Sequence, residues 1–135
     1  MSTNEARVIR LSESEPVSFA ENSYYQPILN GEAGDYPIYT GIQTAEPGYE
    51  TPPHQHPYLE VLHILDGSAE AWLVGKEDEK VRLNAGDTIA LPPDQPHVFR
   101  VAGDTTLRLL GTHISPQRIV KFDDGSESVM GTAEE

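Results

Sequence analysis

The 135-residue sequence contains no cysteine. That excludes a disulfide framework and a thiolate metal site, and it leaves histidine and carboxylate as the strong metal ligands. Basic residues are scarce as well. Nine lysines and arginines stand against 22 aspartates and glutamates, a formal net charge of −13. Such a field repels phosphate backbones and anionic lipids, so neither a nucleic-acid nor a membrane partner is expected. Its plainest consequence is solubility; a preference for cationic or neutral substrates is the weaker one. No apolar run is long enough to cross a bilayer. The N-terminus Met1-Ser2-Thr3-Asn4-Glu5-Ala6-Arg7 lacks the apolar core of a signal segment. A cytoplasmic protein is the expectation. The sequence shows no convincing helical periodicity, no internal repeat and no second domain. Its length suits one domain that buries roughly two-thirds of its unfolded surface.

What is present is a series of short strand signals. Residues 6–11, 24–29, 36–44, 61–65, 69–74, 80–83, 88–91, 97–101 and 105–111 read as strands, and 118–122 as a strand pairing at an edge. Turn signals separate them: Asn30-Gly31, Asp66-Gly67, the charged run 75–79 and Asn84-Ala85-Gly86-Asp87. Residues 1–6 read as a loose end. From Asp123 onward there are five acidic residues and few large apolar ones, so 123–135 is expected to be a disordered tail. Many short strands with frequent turns argue an all-β sandwich or barrel.

The chemistry is concentrated between Gly48 and Gly67. His54 and His56 lie two apart, and residues two apart on a strand share a face. Glu60 has the same parity. Two neutral imidazoles and a carboxylate suit a borderline divalent ion such as Zn, Fe, Ni, Cu or Mn. A second stretch, from Gly86 to Phe99, supplies His97 after the Pro92-Pro93-Asp94-Gln95-Pro96 corner.

With these two stretches the chain resembles the cupin superfamily. The first cupin motif, G-x5-H-x-H-x3/4-E-x6-G, is matched at every fixed position from Gly48 to Gly67. The second, G-x5-P-x-G-x2-H-x3-N, is matched at Gly86, Pro92 and His97, with Asp94 in place of Gly and Val101 in place of Asn. Asp tolerates turn conformations, so the first departure is mild. The resemblance implies a double-stranded β-helix, the cupin or jelly-roll barrel. It implies a single cupin domain over residues 1–122, with a metal-binding core at about 36–113. It also implies one divalent transition metal held by His54, His56, Glu60 and His97, its identity open among Fe, Mn, Ni, Cu and Zn. Such a set leaves coordination positions open for substrate.

Other residues are placed by parity. Tyr58, Leu62, Ile64 and Phe99 share the ligands' face, so a largely apolar cavity with a polar centre is expected. Tyr58 is a candidate hydrogen-bond donor or acid beside the metal, unless Pro57 breaks the parity and the ring packs elsewhere. His63 should point away. His113 follows a strand and can reach the barrel mouth, although an isolated histidine carries little information. Tyr49 and Glu50 stand at the rim, and Trp72 belongs either to the core or to a subunit contact.

Beyond the ligands no acid–base pair stands out, which favours chemistry carried by metal and O2. Glu60 and Tyr58 are the candidate catalytic residues. The resemblance implies a metal-dependent enzyme acting on a small organic molecule, foremost a quercetinase-like dioxygenase. The alternatives are a cupin isomerase, lyase or decarboxylase, or a non-catalytic module that binds a small molecule or metal. It also implies a homodimer, with residues 6–11 a candidate strand to add across chains.

Overall fold

The computed structural model describes residues 6–30 and 36–130. Twelve strands run in chain order: β1 (Val17–Ala20), β2 (Ser23–Pro27), β3 (Tyr39–Ala45), β4 (His54–Gln55), β5 (Glu60–Asp66), β6 (Ser68–Leu73), β7 (Val81–Asn84), β8 (Thr88–Leu91), β9 (His97–Ala102), β10 (Leu107–His113), β11 (Arg118–Phe122) and β12 (Glu127–Met130). They form two six-stranded sheets with orders β1-β2-β3-β10-β5-β8 and β12-β11-β4-β9-β6-β7. Every pairing is antiparallel. This is the expected jelly-roll arrangement. Among the described residues no helix is long and apolar enough to cross a membrane.

Alternation along the strands builds the interior. On β10, Leu107, Leu109, Gly111 and His113 are buried, while Arg108, Leu110 and Thr112 are half-exposed. On β5, Glu60, Leu62 and Ile64 face inward. Leu62, Ile64, Leu107 and Leu109 from one sheet meet Ala69, Ala71, Leu83, Phe99 and Val101 from the other. Ile64, Leu107 and Leu109 are almost wholly buried, and each such side chain contributes roughly 1.5–3 kcal/mol. Along each inward row, therefore, apolar residues form the packed part of the barrel and polar residues appear toward one end. Val101 belongs to the packed part, so an apolar residue suits that position.

Two turns fix the ends of the motif strands. Gly67 has φ +78°, and a Cβ there would run into the Thr106 carbonyl, so the residue closing the β5–β6 turn must be glycine. Asp94 adopts φ 61°, the left-handed conformation that glycine would take most easily. Its N–H donates to the His56 carbonyl at 2.8 Å and ties the second motif to the first.

Two expectations need correction. Residues 6–11 are not a strand: 6–10 are irregular and Leu11–Glu13 form a single 3-10 turn. Val8 is 69% exposed, and Ile9 and Leu11 are only partly buried. The Gln26 amide instead donates to the Leu11 and Ser14 carbonyls at 3.2 and 3.1 Å, strapping the segment across β2. The outer strand is β1, a segment the sequence reading left unassigned. Residues 123–130 are also not the expected tail. Asp124 accepts from both the N–H and the hydroxyl of Ser126, at 2.8 and 2.6 Å, shaping a turn that returns the chain as β12 against β11. The sheet therefore continues past residue 122. Residues 1–5, 31–35 and 131–135, which hold most of the expected loose end, part of the expected loop and the last of the tail, lie outside the described residues.

Candidate metal centre

Strand register assembles the site from both sheets. On one sheet His54 of β4 lies directly opposite His97 of β9, with Phe122 of β11 on its other side. On the other sheet Glu60 of β5 lies opposite His113 of β10, and Tyr39 of β3 follows. His56, in the connection from β4 to β5, closes the gap. His54, His56, Glu60 and His97 are all buried, and one ligand atom from each falls within 4.8 Å of the others.

Hydrogen bonds to backbone carbonyls set the tautomers of the three histidines. His54 Nδ1 lies 2.8 Å from the Pro52 oxygen, His56 Nδ1 2.6 Å from the Ile119 oxygen and His97 Nδ1 3.1 Å from the Gln95 oxygen. A carbonyl oxygen only accepts, so each Nδ1 carries the proton and donates it. Each Nε2 is then a lone-pair nitrogen. The Nε2 atoms of His56 and His97 are buried without a hydrogen-bond partner, 2.9 and 3.4 Å from Glu60 Oε1. Lone pairs facing a carboxylate oxygen at that distance are repulsive unless a cation or a proton lies between them. A divalent metal ion removes the conflict, so the donor set fits one. The backbone carbonyls act as the outer-shell partners that orient metal-bound imidazoles.

The electrostatics agree. Burial, with His97 next, lowers the His54 pKa to about 3, which keeps that ring neutral and able to coordinate. Burial alone would raise the Glu60 carboxyl, but His113 beside its second oxygen is foremost among the contacts that outweigh burial and hold it well below the usual carboxylate range.

The second oxygen of Glu60 meets a residue to which the sequence gave little weight. His113 Nε2 lies 3.2 Å from Glu60 Oε2, and its Nδ1 lies 2.7 Å from the Tyr58 hydroxyl. Burial lowers the His113 pKa to about 4, so the ring is neutral near pH 7. An N–H at Nε2 facing the carboxylate is favourable and a lone pair there is not. The Tyr58 hydroxyl therefore donates to Nδ1, and His113 donates to Glu60. The same hydroxyl accepts the Ile119 N–H at 2.9 Å. Period-two alternation through Leu107, Leu109 and Gly111 was the signal that could have put His113 on the inner face.

A cavity of about 180 Å³ opens onto these groups. Leu62, Phe99, Leu109, Val120 and Phe122 line it, with Tyr25, Tyr39 and Gln43 from the first sheet, Tyr49 from the β3–β4 connection and Arg118 from β11. Gly41 and Gly111 sit opposite each other in neighbouring strands and leave room there. Of the residues placed by parity, Leu62 and Phe99 line the cavity and Ile64 lies in the core. The Tyr58 ring stacks on His56 with centroids 5.3 Å apart, and Tyr58 is not among the cavity-lining residues. His63 points away, to Thr88 Oγ1 at 2.7 Å. Tyr49 lines the cavity, whereas Glu50 is exposed and faces Arg100. Trp72 is half-buried, with the Lys80 and Arg100 cations over its ring at 4.5 and 5.5 Å.

Comparison with known proteins agrees with this geometry. The family described as "Cupin domain" matches residues 41–113. Protein SchB of Streptomyces halstedii is 27% identical over 116 residues, covering 86% of this chain and 82% of SchB. Polyketide synthase CurC of Streptomyces cyaneus is 33% identical over 79 residues, 58% of this chain, and the match spans about half of CurC (49%). The solved structure of the polyketide cyclase RemF from Streptomyces resistomycificus superposes with a TM-score of 0.71 at 18% identity, covering 81% of this chain and 79% of RemF.

Proposed function

From the premise that this chain belongs to the cupin family, we propose that it is a metal-dependent enzyme that forms rings in an oxygenated, polyketide-type small molecule without net oxidation. The observation that carries this reading is the buried chain Tyr58–His113–Glu60, which ends on the carboxylate of the candidate metal set. The sequence favoured O2 chemistry because it offered no acid–base pair beyond the ligands. His113 adds one such group beyond the ligands, in contact with the ligand Glu60.

A divalent ion held by His54, His56, Glu60 and His97 would supply Lewis-acid polarisation of a substrate oxygen. The protein does the rest. Glu60 accepts a proton from a CH2 group flanked by two carbonyls, and the resulting carbon nucleophile closes the ring on a third carbonyl. That proton passes from Glu60 through His113 Nε2 to the new alkoxide; Glu60 then takes the second proton from the same carbon, and its delivery by the same route lets the hydroxyl depart as water as a C=C bond forms. One C–C bond forms, one water leaves, and no oxidant is consumed. Tyr58 is a positioning residue that holds the His113 tautomer. The apolar and aromatic walls exclude water and keep a conjugated substrate flat.

A second reading, the quercetinase-like O2-dependent dioxygenase, is favoured by the three-histidine-one-glutamate set beneath aromatic walls. The test is mass spectrometry of aromatic polyketones incubated with metal-reconstituted protein, with and without O2. Loss of one water, unaffected by removing O2, supports cyclisation. An O2-dependent gain of two oxygen atoms supports the dioxygenase. Tight binding with no mass change under either condition contradicts both and leaves a binding module.

A further inference from the structure

The inward row of β3 runs Tyr39, Gly41, Gln43, Ala45. Tyr39 lies opposite His113, and His113 lies opposite Glu60, so this row begins level with the candidate metal set. Gln43 stands four residues further along, a distance of roughly 13 Å at about 3.3 Å per residue. At its level Tyr25, Leu109 and Ile64 continue the row across β2, β10 and β5. Gln43 thus sits among aromatic and apolar neighbours. Among the described residues that line the cavity it is the one amide side chain, and it lies at the end away from Glu60. Between the two polar ends, Gly41 and Gly111 lie opposite each other and keep the passage open.

Its neighbours hold the amide in place. Gln43 Nε2 donates to the Ser23 hydroxyl at 2.9 Å, and the Tyr49 hydroxyl interacts with both side chains. A primary amide can donate twice and accept twice, so these two contacts leave it capacity for a ligand without displacing either neighbour. Ser23 and Tyr49 are buried, whereas Gln43 is half-buried and keeps surface of its own.

We propose that Gln43 is a specificity-determining residue that binds a phenol or enol hydroxyl at the end of the substrate remote from the metal set, selecting elongated molecules oxygenated at both ends. This rests on the reading of the site as one that works on oxygenated, polyketide-type molecules. An amide and a phenolic hydroxyl each donate and accept, so the pairing holds whichever way the amide is turned. Fixing the amide beforehand lowers the ordering cost of binding. The subsite carries no charge, in keeping with a chain whose net charge of −13 favours neutral or cationic substrates.

The test uses two naphthalene catechols that differ only at the far end of the long axis, one bearing a hydroxyl and the other a methyl group. The catechol anchors each probe on the metal ion. Binding is measured calorimetrically, in anaerobic buffer, to zinc-loaded parent, Gln43→Met and Gln43→Leu. The parent is expected to bind the hydroxyl probe about three- to tenfold more tightly than the methyl probe. In both variants the ratio should fall to one or below, with zinc content unchanged. A ratio near one in the parent, absence of binding by both probes at millimolar concentration included, overturns the inference, and this holds even if neither variant folds. So does a preference that survives in a folded variant, which would leave Gln43 a purely structural partner of Ser23 and Tyr49. If the ratios behave as expected but no polyketone is cyclised, the ring-forming reading fails and the role of Gln43 in binding stands. If polyketones are cyclised while the ratio in the parent is near one, the reverse holds.

Discussion

Removing one oxygen atom, by Tyr58→Phe, probes the network behind the metal set. The Tyr58 hydroxyl accepts the Ile119 N–H at 2.9 Å, lies 2.7 Å from His113 Nδ1 and 3.2 Å from the Ile119 carbonyl. Phenylalanine keeps the ring and its stacking on His56. It leaves His113 Nδ1 and the Ile119 N–H without their partner. Each buried group left unpaired costs about 1–3 kcal/mol. Ile119 is only half-buried, so water offsets part of its share, and a loss of about 2–3 kcal/mol is expected. For a domain of this length that is a drop in Tm of roughly 6–12 °C. Differential scanning calorimetry of metal-free protein at pH 7.5 measures it directly. Metal content on reconstitution should be unchanged, because Tyr58 is not a ligand. A Tm within about 2 °C of the parent would refute the reasoning, since the hydroxyl would then hold neither partner.

Three further outcomes are expected. Gly111→Val should retain metal and fold but lose substrate binding. Its Cβ meets Leu62 and Leu109 at ordinary contact distances of 3.7 and 3.9 Å, while its methyls enter the cavity; unchanged ligand affinity by calorimetry would contradict the cavity assignment. Metal-free protein should lose stability as pH falls from 6.5 toward 4. The unfolded state takes up a proton on each histidine near pH 6.5, whereas buried His113 resists protonation until about 4. That is roughly 3 kcal/mol from this residue alone, and urea midpoints that stay flat between pH 7 and 4 would contradict it. Light scattering at tens of micromolar should report a homodimer; a monomer there would remove that expectation.

The inner faces were legible in the sequence wherever period-two alternation ran through clear strand residues. Leu62 and Phe99 line the cavity as expected, Ile64 shares their inward face but lies in the core, and residues 54, 56, 60 and 97 converge because motif spacing fixes both parity and turn length. Asp94 shows how chemistry tolerates a departure from pattern, since its left-handed φ is one that Asp adopts. What was not legible depended on register between distant strands. His113 enters the site because β10 pairs with β5 at the level of Glu60, a relation between residues 53 apart that no local pattern encodes. Arg118 is similar: Ile119 and Val120 are both apolar, so alternation on β11 was ambiguous until packing chose Val120. Composition misled at the acidic end, where the Asp124-Gly125 turn outweighed the charge. At residues 6–11, β-branched content outvoted the absence of anything to pair with.

The central claim is that His54, His56, Glu60 and His97 hold one transition-metal ion. Elemental analysis of the reconstituted parent beside His56→Ala tests it most directly, with circular dichroism to show that both are folded. The account predicts about one equivalent of metal per chain in the parent and near none in the variant. Equal metal in two folded proteins, or none in the parent after reconstitution, would contradict it.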